Sequence, residues 1–168
     1  MKKSIPINDN WLFRNGFDNE CFDQGFDFAG SYIVSLPHCA AETGGHYFSE
    51  EDLTAVSTYI RRIFIPSEYN GSKTVIRFAG ILSYAEVYVN GIFVTSHKGE
   101  TPFEADITAP VQYDFDNRIV VKTDSGVRPD VPSFGVRGPA LQYGGIFRDV
   151  SLRIESGECI KDVFIRTP

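Results

Sequence analysis

Three histidines, His38, His46 and His97, are the side chains in this sequence best suited to hold a metal or move a proton near neutral pH. His38 and His46 stand eight residues apart in the run LPHCAAETGGHYF, and Glu42 is the only carboxylate near them. Two imidazoles and one carboxylate fall short of a closed structural metal site. A structural or loop role is therefore expected for both, with no metal and no cofactor. His97 follows a hairpin and precedes Lys98-Gly99, which reads as a turn position. The cysteines, Cys21, Cys39 and Cys159, are odd in number and widely spaced, with no Cys-x-x-Cys pair. They read as free thiols of a reduced, cytoplasmic compartment. A secreted or periplasmic location stays open for a chain that has lost a signal peptide. Met1-Lys2-Lys3 resembles the start of one, but no apolar stretch follows.

Other chemical signatures are missing. There is no Gly-x-Ser-x-Gly elbow, no His-Glu-x-x-His and no phosphate-binding loop. Tyr143-Gly144-Gly145 is too short to cradle a phosphate and reads as a sharp backbone turn into a strand. Asp23, Asp27, Glu50, Glu51, Asp52, Asp114 and Asp116 sit in loop-like runs and read as a solvated acidic surface. Asp149 is placed to pair with its neighbour Arg148. No carboxylate pair stands out as an acid and its base, so no catalytic residue is assigned.

The elements that would position these groups are strands. Residues 58–65 (TYIRRIFI), 74–78 (TVIRF), 84–95 (YAEVYVNGIFVT), 118–123 (RIVVKT) and 146–154 (IFRDVSLRI) carry β-rich runs, and 161–165 is a short candidate. In 146–154, Ile146, Arg148, Val150, Leu152 and Ile154 fall on one side, and the alternation implies one face on a core. Asn90-Gly91 between two such runs is a strong hairpin signal, because both residues tolerate positive φ. Asn70-Gly71 marks another turn. Ser49-Glu50-Glu51-Asp52 has capping-box spacing and permits one helical turn. Short strands and turns without intervening helices imply an all-β sandwich or barrel.

The composition agrees. The chain has 168 residues, 14 Phe, 8 Tyr and 15 Gly, the size of one domain and too short for a two-domain enzyme. Sixteen basic against 22 acidic residues leave a net charge of −6, which gives no footprint for nucleic acid or an anionic membrane. No apolar run reaches the roughly 18–20 residues of a membrane helix.

Four segments in order, SLPHCAAETGGHYF, STYIRRIFIP, FAGILSYAEVYVNGIFVTSHKGETPFEADIT and YGGIFRDVSLRI, together resemble the N-terminal sugar-binding domain of glycoside hydrolase family 2, the β-galactosidase and β-glucuronidase family. The resemblance covers the chain from about Trp11 to its end. It implies a galactose-binding-like jelly-roll β-sandwich over residues 1–155. Residues 156–168 would be an exit strand or linker towards an immunoglobulin-like domain and a TIM barrel carrying both catalytic glutamates. The chain alone would then be non-catalytic. Its partners would be carbohydrate, through the parent enzyme, and the remaining parent domains, with a homo-oligomer possible. A freestanding carbohydrate-binding module and a structural or assembly domain are the alternatives. Trp11, the sole tryptophan, is expected in the core rather than on a sugar platform.

The resemblance also points to two loops lining the parent's sugar site. Galactosidase-like relatives carry an Asn before the Tyr-Phe pair, where this chain has His46. They carry an Asp six residues before the second Gly, where this chain has Pro139. Both changes argue against plain β-galactosidase specificity, since a site built to bond a hydroxyl discriminates strongly. His46, Arg128, Asp130, Arg137 and Gln142 remain as possible sugar-site residues, and the guanidinium groups would suit a carboxylate-bearing sugar.

Overall fold

The described residues form ten strands, several of them, such as Tyr84–Val89 and Val150–Glu155, with alternate residues buried. These are β1 (Lys2–Pro6), β2 (Trp11–Asn15), β3 (Tyr32–Val34), β4 (Val56–Phe64), β5 (Lys73–Phe78), β6 (Tyr84–Val89), β7 (Ile92–Lys98), β8 (Phe103–Asp106), β9 (Asp116–Asp124) and β10 (Val150–Glu155). The computed structural model describes residues 2–23, 25–41, 56–126, 144–155 and 163–167. The strands form two antiparallel sheets, one of four strands in the order β1-β10-β5-β8 and one of six in the order β3-β2-β4-β9-β6-β7. Their inner faces meet in one core that includes Trp11, Phe13, Tyr59, Ile76, Phe78, Val87, Ile119 and Leu152. This is the expected jelly-roll β-sandwich. Trp11 is fully buried and donates its indole N–H to Ile7 O at 2.6 Å, so it is a core residue.

The Asn90-Gly91 hairpin forms between β6 and β7, with φ of +53° and +79°. Asn90 also acts at a distance. Its Nδ2 donates to Pro110 O and Asn117 Oδ1, and its Oδ1 accepts from Arg118 N. Asn117, fully buried, closes the network by donating to Gln112 O and Phe115 O and accepting from Gln112 N. A turn residue thus ties the hairpin tip to the start of β9. The 103–108 stretch behaves as a strand leaving a turn. Asp106 accepts from the Thr108 hydroxyl at 2.6 Å, and that hydroxyl oxygen accepts from Thr74 N at 3.0 Å.

The outer face of the six-stranded sheet carries a second, smaller core. Strand register aligns Ile33, Leu12, Ile60, Val120, Tyr88 and Phe93 in one row across all six strands. An apolar row facing water must be covered. The stretch 17–28, which includes a 3₁₀ turn at Asn19–Phe22, lays Phe17, Phe22, Phe26, Phe28 and buried Cys21 over its middle. The row's ends, Ile33 (70% exposed) and Phe93 (54% exposed), remain open.

Several expectations change. The strand in 146–154 begins only at Val150. Before it, Gly145 O accepts from Leu82 N, Ile146 O from His38 N and Asp149 O from Ala79 N, so successive residues pair with different segments and no ladder forms. Arg148 consequently leaves the inner side and lies over the Phe147 ring, 5.1 Å from its centroid. Arg148 and Asp149 form no ion pair; Asp149 accepts from Asn8 Nδ2 at 2.9 Å instead. His97 is not a turn residue. It lies in β7 and stacks on Phe103 at 4.2 Å between centroids, nearly parallel. Residues 163–165 are exposed and take no strand conformation; residues 161 and 162, the Ser49–Asp52 turn and Cys159 lie outside the described residues.

Candidate functional site

One end of the sandwich gathers the roots of both expected sugar loops. Segment 42–55 leaves after Ala41 and returns at Val56; segment 127–143 leaves after Gly126 and returns at Gly144. Val56 pairs directly with Asp124 across β4 and β9. Beyond Asp124, the Ser125 side chain crowds Gly144, where a Cβ would lie 2.9 Å from its Oγ. Gly144 O in turn accepts from Ala40 N at 3.3 Å. Four chain ends from opposite halves of the sequence therefore meet at one rim.

Glycine makes this convergence possible. Gly144 and Gly145 have φ of +62° and +90°, left-handed values that an L side chain resists. At Gly145 a Cβ would lie 2.6 Å from Tyr59 Oη, 2.7 Å from His38 O and 2.8 Å from Ala40 N. The sharp turn expected at Gly144-Gly145 thus needs glycine for close packing as well as for its φ angles.

Under the rim, His38 is wedged among aromatics. Its ring centroid lies 4.7 Å from that of Phe13, and its Nδ1 is 2.9 Å from Tyr59 Oη. Burial pushes the Tyr59 phenol well above its ordinary value, so the group is a neutral hydroxyl that orients His38. The structural role expected of His38 agrees with this packing. Among the described residues, no group of three or more His, Cys, Asp or Glu side chains gathers as a metal site, and no helix is long and apolar enough to cross a membrane.

His46, Arg128, Asp130, Arg137 and Gln142 all lie outside the described residues, as do Glu42 and Pro139. The structure fixes where their segments start and end. Another polar site, at the far end of the same sheet, had no signal in the sequence. A cleft of about 420 Å³ is lined by Phe22, Arg62, Asn90, Gly91, Gln112, Asp116 and Arg118. Arg62 and Arg118 are adjacent only because β4 and β9 pair in one particular register.

Fold and rim define a jelly-roll sandwich domain in which segments 42–55 and 127–143 are rooted at one end. The chain belongs to a known family of such domains: the model for "Glycosyl hydrolases family 2, sugar binding domain" matches residues 48–155. It is 41% identical over 95% of its length to a β-galactosidase of Thermoanaerobacter pseudethanolicus and 37% identical over 99% to one of Thermoanaerobacterium thermosulfurigenes. The chain spans only 22% and 24% of those relatives' lengths. Among solved structures, a β-glucuronidase of Bacteroides uniformis superposes over 92% of this chain, with a TM-score of 0.76 at 25% identity, and the match covers 18% of that protein.

Proposed function

We propose that this chain serves as the non-catalytic N-terminal domain of a larger retaining enzyme that hydrolyses β-glycosidic bonds, of the β-galactosidase or β-glucuronidase kind. Its task is to support the scaffold and to contribute two loops to the parent's sugar site. The observation that carries this reading is the rim, where the roots of segments 42–55 and 127–143 meet. Loops rooted on packed strands are held more precisely than free ones, and such positions commonly carry binding residues. His46 from the first segment and Arg128, Asp130, Arg137 and Gln142 from the second are the side chains assigned to sugar contact. A retaining glycosidase needs two carboxyl groups roughly 5 Å apart, and these are assigned to the parent's remaining domains.

The test has two arms. The 168-residue chain is incubated with nitrophenyl β-galactoside, β-glucuronide and β-mannoside, and no turnover above buffer is expected. The coding region beyond Pro168 is read, and the longer protein is assayed on the same substrates with His46→Ala and Gln142→Ala variants. Turnover by the short chain sinks the proposal. So does a longer protein with no glycosidase activity, or variants that leave both kcat and KM unchanged on every substrate cleaved.

A further inference from the structure

The cleft at the far end of β4 has the makings of a site in its own right. Arg62 lies six residues along β4 from Val56, which places it about 20 Å from the loop rim. It faces Arg118 as its direct cross-strand partner on the sheet's outer side. Like charges in that position repel and destabilise a sheet unless an anion lies between them. No anion from the described residues does so. Asp116 lines the same cleft yet comes within ion-pair distance of neither arginine. Arg118 is held rigidly by its Nη1, which donates to Cys21 O at 3.1 Å and Asp23 O at 2.8 Å. The guanidinium also lies over the Phe28 ring, 5.8 Å from its centroid; its other nitrogens have no hydrogen-bond or ion-pair partner among the described residues, and neither does the Arg62 side chain. Burial, and then the neighbouring Arg62 charge, lower the Arg118 pKa and outweigh the opposing influence of Cys21 and Asp23.

The rest of the lining narrows the ligand. The side chains of Gln112 and Asp116 make no bonds within the described protein, so they are available to hydroxyl groups. Asn90 and Gly91 form a fixed wall, because the Asn90 amide is saturated by Pro110, Asn117 and Arg118. Phe22 provides an apolar wall. Phe64, 57% exposed and two residues from Arg62 on the same face, stands beside the cleft. Asp116 opposes a free dianion such as phosphate but suits a ligand that offers hydroxyls beside a single carboxylate. The volume, about 420 Å³, lies within the usual range of small-ligand sites.

We propose that this cleft binds a uronic acid residue of a saccharide, with the carboxylate between Arg62 and Arg118 and the ring hydroxyls on Gln112 and Asp116. Paired guanidinium groups match a carboxylate's planar geometry, and aromatic faces match a pyranose ring. The proposal does not depend on the parent's hydrolytic activity.

The 168-residue chain is titrated with glucuronate, galacturonate, glucose, galactose, acetate and sulfate, followed by amide chemical shifts and by calorimetry. A uronate should shift the Gly91, Gln112 and Arg118 amides and bind at least roughly tenfold tighter than the matching neutral sugar or acetate. Arg62→Gln should abolish that preference. Because the Arg62 side chain makes no hydrogen bond or ion pair with the rest of the described protein, this variant should fold. Relief of the like-charge pair should raise its unliganded Tm by about 1–3 °C, while uronate should raise the Tm of the wild type only. Gln112→Ala should weaken uronate and leave acetate unchanged. Equal binding of neutral and acidic sugars overturns the proposal, as does sulfate or acetate binding as well as uronate. It is equally overturned if no ligand shifts these amides, or if Arg62→Gln keeps the preference.

Discussion

Gly145 is where the rim closes, and Gly145→Ala tests that closure against a matched control. Gly99 has nearly the same φ, +93° against +90°, but nothing lies within 4 Å of a Cβ built there. Alanine at either position carries the left-handed cost of about 1–2 kcal/mol. At Gly145 alone the methyl also meets three atoms at 2.6–2.8 Å. Two of them, His38 O and Ala40 N, are backbone and cannot rotate away, and Ala40 N also bonds Gly144 O. Overpacking of this kind adds about 1–3 kcal/mol. Gly99→Ala is therefore expected to cost about 1–2 kcal/mol and Gly145→Ala about 2–5 kcal/mol. For a domain of this size each kcal/mol lowers Tm by about 2–4 °C. Urea unfolding followed by Trp11 fluorescence reads both variants, since the only tryptophan is fully buried and its emission moves to the red on exposure. If Gly145→Ala costs no more than Gly99→Ala, the close approach of 38–40, Tyr59 and Gly145 is wrong, and with it the convergence of the loop roots.

Two further expectations concern pH. Burial pushes the Glu86 carboxyl up, but hydrogen bonds from the Tyr88 and Tyr84 hydroxyls and the Lys122 ammonium outweigh it and hold the pKa below the ordinary value of 4.5. The carboxylate's stabilisation is therefore complete above about pH 4.5 and lost as pH falls through the lower folded value. Glu86→Gln should cost about 1–3 kcal/mol at pH 7, and that deficit should shrink in acid unfolding curves; a deficit that does not change with pH refutes the assignment. Burial lowers the His97 pKa from 6.5, only partly offset by the Thr101 backbone, so its neutral form is the stabilising one. Stability should be full above pH 6.5 and fall as His97 protonates below it. His97→Phe keeps a ring against Phe103 and should flatten Tm between pH 5 and 7; a slope equal to the wild type's would show that His97 does not set it.

Much of the fold was legible because its signals are local. Asn90-Gly91 dictates a hairpin through two adjacent φ angles, and Gly144-Gly145 dictates a sharp entry towards β10 in the same way. Runs rich in β-branched and aromatic residues marked β4, β5, β6 and β9 to within a few residues. β1 was not legible: its sequence, KKSIP, is mostly polar, and Pro6 ends it. It forms because β10, more than 140 residues away, offers a partner at the sheet edge. Residues 146–149 looked like strand because alternation reports which face a side chain prefers, not whether one neighbour can supply every backbone bond.

The same limit applies to the sites. Sequence resemblance named the loop residues His46, Arg128, Asp130, Arg137 and Gln142, and the tertiary structure decided that the roots of their segments share one rim. The sequence by itself determined an all-β chain, its main turns, a buried Trp11 and a family. Only the tertiary structure decided that Arg62 faces Arg118, that Asn90 reaches Asn117, and that the stretch 17–28 covers the outer apolar row. Strand register is set by long-range backbone pairing and by burial summed over whole faces. No short window of sequence contains that sum, so neighbours across a sheet become visible only once the sheet has formed.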